Sequence, residues 1–104
     1  MSNMSTPHIG KKCVIRTYAS GVHFGTLVAQ DGRQVELRNA RRLWRWHAVG
    51  GISLSEVACN GVVPEKSRIC AIVPSMTILD ALEIIPAKDD AVSSIETAPV
   101  AEPH

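Results

Sequence analysis

The sequence predicts a mainly β fold of the α+β class: a small, curved antiparallel sheet or partial barrel of five or six strands with one short helix. Three observations carry that reading. Short apolar runs, several of them β-branched, recur at 12–17, 22–30, 34–38 and 68–73 and are separated by turn-forming residues. Asp31-Gly32 lies between two apolar alternations, where glycine supplies the positive φ of a tight hairpin. Only the stretch from Ser53 to Gly61 carries both a helix start and a helix stop.

Residues 1–10 (MSNMSTPHIG) are polar and without periodicity, and they read as a flexible lead-in. Lys12 to Thr17 is the first strand, Tyr18-Ala19-Ser20-Gly21 a connection, and Val22 to Gln30 the second strand. Beyond Asp31-Gly32, Gln34 to Arg38 puts Val35 and Leu37 on one face and Gln34, Glu36 and Arg38 on the other. Arg41 to Trp46 also reads as a strand, with Arg42, Trp44 and Trp46 on one face and Arg41, Leu43 and Arg45 on the other. A helix would turn the two indoles about 200° apart, scattering the large apolar groups.

Gly50-Gly51 breaks that run. Ser53 then caps a helix, Glu56 completes a capping box, and Gly61 stops it, leaving Leu54, Val57 and Ala58 as its packing face. Arg68 to Val73 is a buried strand closed by Pro74. Thr77 to Ile85 fits a helical stripe or a strand, and the Ile84-Ile85-Pro86 ending favours strand. The domain thus spans 11–86. From 87 to 104 the chain turns to Ala, Ser, Pro and acidic residues, too little apolar area to offset ordering entropy, so a mobile acidic tail is expected.

Composition removes several function classes. A chain of 104 residues with 45% hydrophobic and 4% aromatic content makes one domain with little volume for a buried cofactor. No apolar run approaches the ~18 residues of a membrane span, and residues 1–12 lack a signal-peptide core. Three widely spaced cysteines, Cys13, Cys59 and Cys70, fit neither a disulfide framework nor a metal knuckle, so a reduced cytoplasmic setting is expected. Cys13 and Cys70 read as small buried apolar groups. The open edge of so small a sheet makes a homo-oligomer the expected state.

The net charge of +1 hides a split: eight cationic against two acidic side chains in residues 1–47, and three against eight in residues 48–104. Such a layout suits a local anion site or head-to-tail packing of copies, and an ordinary surface of mixed sign also accounts for it.

No catalytic constellation is present in the sequence: no phosphate-binding glycine loop, nucleophile elbow, paired histidines or Cys-x-x-Cys. No cofactor and no metal are expected. The residues to test are Arg38, Arg41, Arg42 and Arg45, interleaved with Trp44 and Trp46. Guanidinium groups fork onto phosphate oxygens and indole faces stack on bases, so the run can hold a nucleotide or another anionic small ligand. The same residue types anchor protein interfaces, and two tryptophans can simply fill a core. Arg16, His23 and Phe24 are secondary candidates. Gly21 and Gly25, flanking Phe24, permit bending, a bulge or close backbone approach.

The run from Val14 to Leu27 (VIRTYASGVHFGTL), continued by Asp31-Gly32, Ala40 to Trp46 (ARRLWRW), the helix around Leu54 to Ala58 with Gly61, and Asp80 to Pro86 (DALEIIP), resembles a family of small phage and prophage proteins of unknown function. The resemblance covers roughly 13–86. It implies a viral or prophage origin and a strand over Asp80–Ile85. The family often carries a different residue between the two tryptophan positions, so Arg45 marks a departure.

These readings converge on a non-catalytic accessory protein that binds and sequesters an anionic ligand or host protein in the host cytoplasm, a nucleotide immune signal being one such ligand. The alternatives are a structural or assembly protein of the virion or an oligomeric adaptor, and a nucleic-acid module. A net charge of +1 with an acidic tail argues against duplex DNA.

Overall fold

The computed structural model describes residues 7–103. Its strands are β1 (Lys12–Thr17), β2 (Val22–Asp31), β3 (Gln34–Arg45), β4 (Arg68–Ile69), β5 (Val73–Ile78) and β6 (Ala81–Pro86); its helices are α1 (Leu54–Asn60) and α2 (Asp89–Glu96). They form an open, curved antiparallel sheet in the order β4-β3-β2-β1-β6, with β5 also paired to β3.

β3 serves two neighbours in turn. Its first half pairs with β5, from Val35 opposite Ile78 to Ala40 opposite Val73, and its second half pairs with β4 through Leu43 and Arg45. The change falls at a bulge, where Asn39 and Ala40 stand against the single residue Gly25 of β2. Asn39 adopts φ 53°, the left-handed region that asparagine tolerates. A Cβ on Gly25 would come within 3.1 Å of the Arg38 carbonyl oxygen, so glycine there serves close approach. Pro74, which has no N–H, falls opposite Asn39, the position missing from the β3–β5 ladder.

The expected hairpin forms one residue along from Asp31-Gly32. Asp31 still pairs with Gln34, and the turn is Gly32-Arg33, with Gly32 alone at positive φ, as a turn with glycine first requires. α1 forms as expected. The Ser53 hydroxyl accepts from the Ser55 N–H, and the Glu56 carboxylate accepts from the Ser53 N–H and hydroxyl at 2.8 Å each. Those bonds from Ser53 hold the Glu56 carboxyl below its ordinary range. Thr77 to Ile85 is strand on either side of a turn at Leu79-Asp80. The single strand expected over 68–73 is instead two, β4 and β5, interrupted at Cys70-Ala71-Ile72 while the chain runs on along the same edge of β3, from Ile69 opposite Leu43 to Val73 opposite Ala40.

Both faces of the sheet are covered. On one face, Val14, Phe24, Leu43 and Ile69 pack with Leu54, Val57 and Ala58 of α1 and with Ile95 and Ala98. On the other, Cys13, Ile15, Leu27, Leu37 and Ala40 pack with Ile78 and Ala81 beneath the curl of β5. Burial pushes the Cys13 thiol up to about 11, which leaves it protonated.

The expectation of a mobile tail over 87–104 does not hold for the described residues, and the helix count rises from one to two. α2 docks on α1 with Ala91 and Ile95 fully buried. The Ser94 hydroxyl donates to the Val62 carbonyl and accepts the Val62 N–H, and the Lys88 N–H donates to the Ala58 carbonyl. Of the expected flexible lead-in, residues 7–10 form a turn whose Gly10 N–H donates to the Leu27 carbonyl; 1–6 lie outside the described residues.

What holds α2 comes from far away in sequence. Arg41, 2% exposed, donates from Nη1 to the carbonyls of Ile95 at 2.9 Å and Ala98 at 2.7 Å, and from Nε to the Cys70 carbonyl at 2.7 Å. Desolvation lowers its pKa from the ordinary arginine value. No carboxylate neutralises it; the carbonyl ends of α2, where the helix dipole is negative, do. Arg41→Met keeps the stem but orphans the buried carbonyls of Ile95 and Ala98 and the part-buried carbonyl of Cys70. It is expected to cost about 3 kcal/mol in urea unfolding and to speed amide exchange across 89–98 more than in β1 and β2. Unchanged exchange in α2 would refute this role.

Candidate functional site

The opening between the β1–β2 turn and the β5–β6 turn is stitched from backbone and short side chains. The Tyr18 N–H donates to the Asp80 carbonyl at 3.0 Å and the Ala19 N–H to the Asp80 carboxylate at 2.8 Å, which ties the two turns together. Within the first turn Gly21 takes φ 89°, so its carbonyl can receive both the N–H and the hydroxyl of Thr17. Between the turns and the outward side of β3 lies a cleft of about 410 Å³, lined by Ser20, His23, Arg42, Met76, Leu79 and Asp80 among others.

A directional chain of hydrogen bonds sets the chemistry of one wall. The Thr17 hydroxyl gives its proton to the Gly21 carbonyl at 2.7 Å, so its oxygen accepts the Ser20 N–H at 2.9 Å and the Ser20 hydroxyl at 3.0 Å. Ser20 Oγ in turn lies within hydrogen-bond distance of His23 Nε2, at 3.2 Å. On the other side of the ring, Nδ1 is buried with no hydrogen-bond partner. The imidazole is fully buried. Desolvation, followed by the Arg42 charge, lowers its pKa, against smaller opposing contributions from Ser20 and Asp80.

The structure disperses the Arg/Trp run. Arg42, directly across from His23 in the β2–β3 register, reaches the cleft. Arg41 is withdrawn from the candidate set, because its guanidinium is spent on carbonyls in the core. Trp44, 64% exposed, stands with its ring 5.6 Å from the Arg68 guanidinium, at a second groove beside β4. Arg45 is exposed and paired in register with Arg68. Trp46 is half-buried against the helix-side core. Arg38 is exposed farther along β3. Of the secondary candidates, Phe24 is a core residue and so drops out, while exposed Arg16 lies 3.8 Å from Glu83. Among the described residues the side-chain ion pairs are Lys12–Glu96 and Arg16–Glu83, and Arg38, Arg42 and Arg45 make none.

Sequence reasoning missed Thr17, Ser20, Met76 and Asp80. The signal for the first two was present in Thr17-x-x-Ser20-Gly21, a hydroxyl-rich turn closed by a glycine. Nothing in the sequence brings Asp80 to that turn, since the contact spans 61 residues. Among the described residues no group of three or more His, Cys, Asp or Glu side chains is placed to hold a metal ion, and no helix is long and apolar enough to cross a membrane.

Residues 10–95 match the family described as a domain of unknown function (DUF6948), and the chain belongs to that family. The match takes in β1 through nearly all of α2, so the cleft and the helix tied down by Arg41 both lie within the family domain. No curated protein and no solved structure matches the chain.

The buried neutral His23 couples stability to pH. Its folded pKa lies below that of the unfolded chain, about 6.5, so the unfolded state takes up a proton first as pH falls. Its contribution is therefore present above about pH 6.5 and is lost as pH drops from there toward the folded pKa. The melting temperature is expected to fall between about pH 7.5 and pH 5.5, a range above the titration of ordinary carboxylates. His23→Gln, which keeps a hydrogen-bonding group for Ser20 but does not titrate, should flatten that fall. Parallel melting profiles for the two proteins would rule the coupling out.

Proposed function

We propose that this chain is a non-catalytic binding protein that takes a small anionic ligand in the cleft at Arg42. The observation that carries the reading is the Arg42 guanidinium itself: at the lip of a 410 Å³ cleft, without an ion-pair partner among the described residues, beside a histidine kept neutral. A free guanidinium forks onto phosphate or carboxylate oxygens, and the Met76 and Leu79 walls offer apolar area to a planar group. A nucleotide combines both features. The resemblance to small phage and prophage proteins adds the setting: sequestration of a host nucleotide signal in the host cytoplasm.

A second reading is an oligomeric adaptor or virion component. It is favoured by Tyr18, 82% exposed, and Leu79, 71% exposed, which flank the same opening, together with Trp44 and Ile72. Binding of nucleic acid is the weakest reading, since the net charge of +1 gives little sequence-independent attraction to a phosphate backbone.

Calorimetry against a panel of mononucleotides and cyclic nucleotides tests the first reading. At least one is expected to bind, with Arg42→Ala weakening it by about tenfold or more, the worth of one charge-assisted contact, and Arg38→Ala leaving it unchanged. No heat with any member of the panel ends the proposal. For the adaptor, sedimentation at low and high salt should show a species larger than the 11.2 kDa monomer; a monomer at both removes that reading.

A further inference from the structure

β4 is two residues long and pairs with β3 along one side only. Its other side is covered by residues 99–103, which follow α2 as an extended strap. Val100 bridges Ile69 in parallel, the Ala101 N–H donates to the Ile69 carbonyl at 2.9 Å, and Arg68 donates to the Glu102 carbonyl. The strap is held mainly through its backbone, since Pro99, Val100, Glu102 and Pro103 are exposed. Backbone pairing of this kind is how a sheet edge accepts a foreign extended peptide.

What surrounds the strap points to the chemistry of such a peptide. The groove, about 310 Å³, is formed by Trp44, Arg68 and Cys70 against Ala101, Glu102 and Pro103. Arg45 and Arg68 stand opposite each other in the β3–β4 register, like charges that repel, and neither has a carboxylate partner among the described ion pairs. An anionic group beside them relieves that repulsion. The exposed Trp44 ring, carrying the Arg68 guanidinium at 5.6 Å, offers a flat wall for a proline or aliphatic side chain.

We infer that the β4 edge, with Trp44, Arg45 and Arg68, is a docking site for an extended acidic peptide of a partner protein, and that the chain's own residues 99–103 occupy it as an internal stand-in. This site lies apart from the Arg42 cleft, and its test is independent of the ligand there. An internal strap competes at an effective concentration in the millimolar range, so a free peptide gains access once the strap is weakened.

The probe is a synthetic peptide with the sequence of residues 97–103. It is titrated into the full chain and into two full-length variants, Ala101→Pro, which removes the N–H donor to Ile69, and Val100→Lys, which puts a cation beside Arg68. The peptide should shift the Trp44 indole and the Ile69 and Cys70 amide resonances saturably in at least one variant, about tenfold more tightly than in the unaltered chain. A peptide with lysine in place of Glu102 should bind about tenfold more weakly. No saturable shift in either variant, an equal response from the lysine peptide, or equal binding to the unaltered chain overturns the inference. Dimerisation of the opened variants would assign the edge to a second copy and overturn it as well.

Discussion

A single buried cation sets the terms for the rest of this fold. The Arg41 guanidinium enters the core with no carboxylate to meet it, and the interior supplies carbonyl oxygens from the end of α2 and from the residue after β4. Burying a charge without such partners costs several kcal/mol, so the sheet is stable only with the helix in place. The dependence runs both ways. α2 spans eight residues, too few to be helical alone in water, and its fully buried side chains are Ala91 and Ile95. α1 in turn leans on α2 through Lys88 and Ser94. Sheet, α1 and α2 are therefore one cooperative unit.

The bulge on β3 explains how one arginine-rich strand serves several ends. Gly25 lets Asn39 and Ala40 crowd against β2, and past that point β3 leaves β5 and takes β4 as its neighbour. Successive side chains then enter different surroundings. Ala40 joins the core under β5, Arg41 the core under the helices, Arg42 the cleft, Leu43 the helix-side core, and Trp44 the β4 edge. A pleated strand covered on both faces distributes its residues in this way by geometry alone. Basic and aromatic residues adjacent in sequence need not share a site, and here Arg42 and Trp44 stand at two different openings while Arg41 is spent in the core.

Local chemistry was legible in the sequence where it is self-contained. The Ser53–Glu56 capping box needs four residues and formed as read; the reversal after Asp31 needs a glycine and two alternating strands, and its slip by one residue follows from Gly32 alone carrying positive φ. The alternation across Arg41 to Trp44 was readable too, because a strand has period two. Illegible was anything decided by a distant partner. Residues 89–98 look too polar to order, and by themselves they are; the partner that orders them lies 54 and 57 residues earlier in the chain. The cleft is similar. Ser20 and Asp80 are unremarkable in their own turns, and a contact across 61 residues makes them neighbours.

The division of charge along the chain finds part of its use inside the molecule. Lys12 meets Glu96 at 2.6 Å, Arg16 lies near Glu83, Arg41 holds the end of α2, and Arg68 reaches the Glu102 carbonyl. Three of those four join the basic half to the acidic half, so the dipolar layout does not need a second copy to be satisfied. The two side-chain ion pairs are exposed and add little to stability; their effect is on which segments meet. What the internal pairing omits is then the informative remainder. Arg42 and Arg45 are left exposed on β3 without carboxylate partners among the described residues, one beside a cleft and the other opposite Arg68. A neutral His23 beside Arg42 adds no second positive charge at the cleft, so the ligand proposed for it would meet one guanidinium, the Ser20 oxygen and the Asp80 carboxylate. That combination would suit a singly anionic group better than a dense run of phosphates, because each further negative charge would have Asp80 to repel it and no second cation lining the cleft to offset the repulsion.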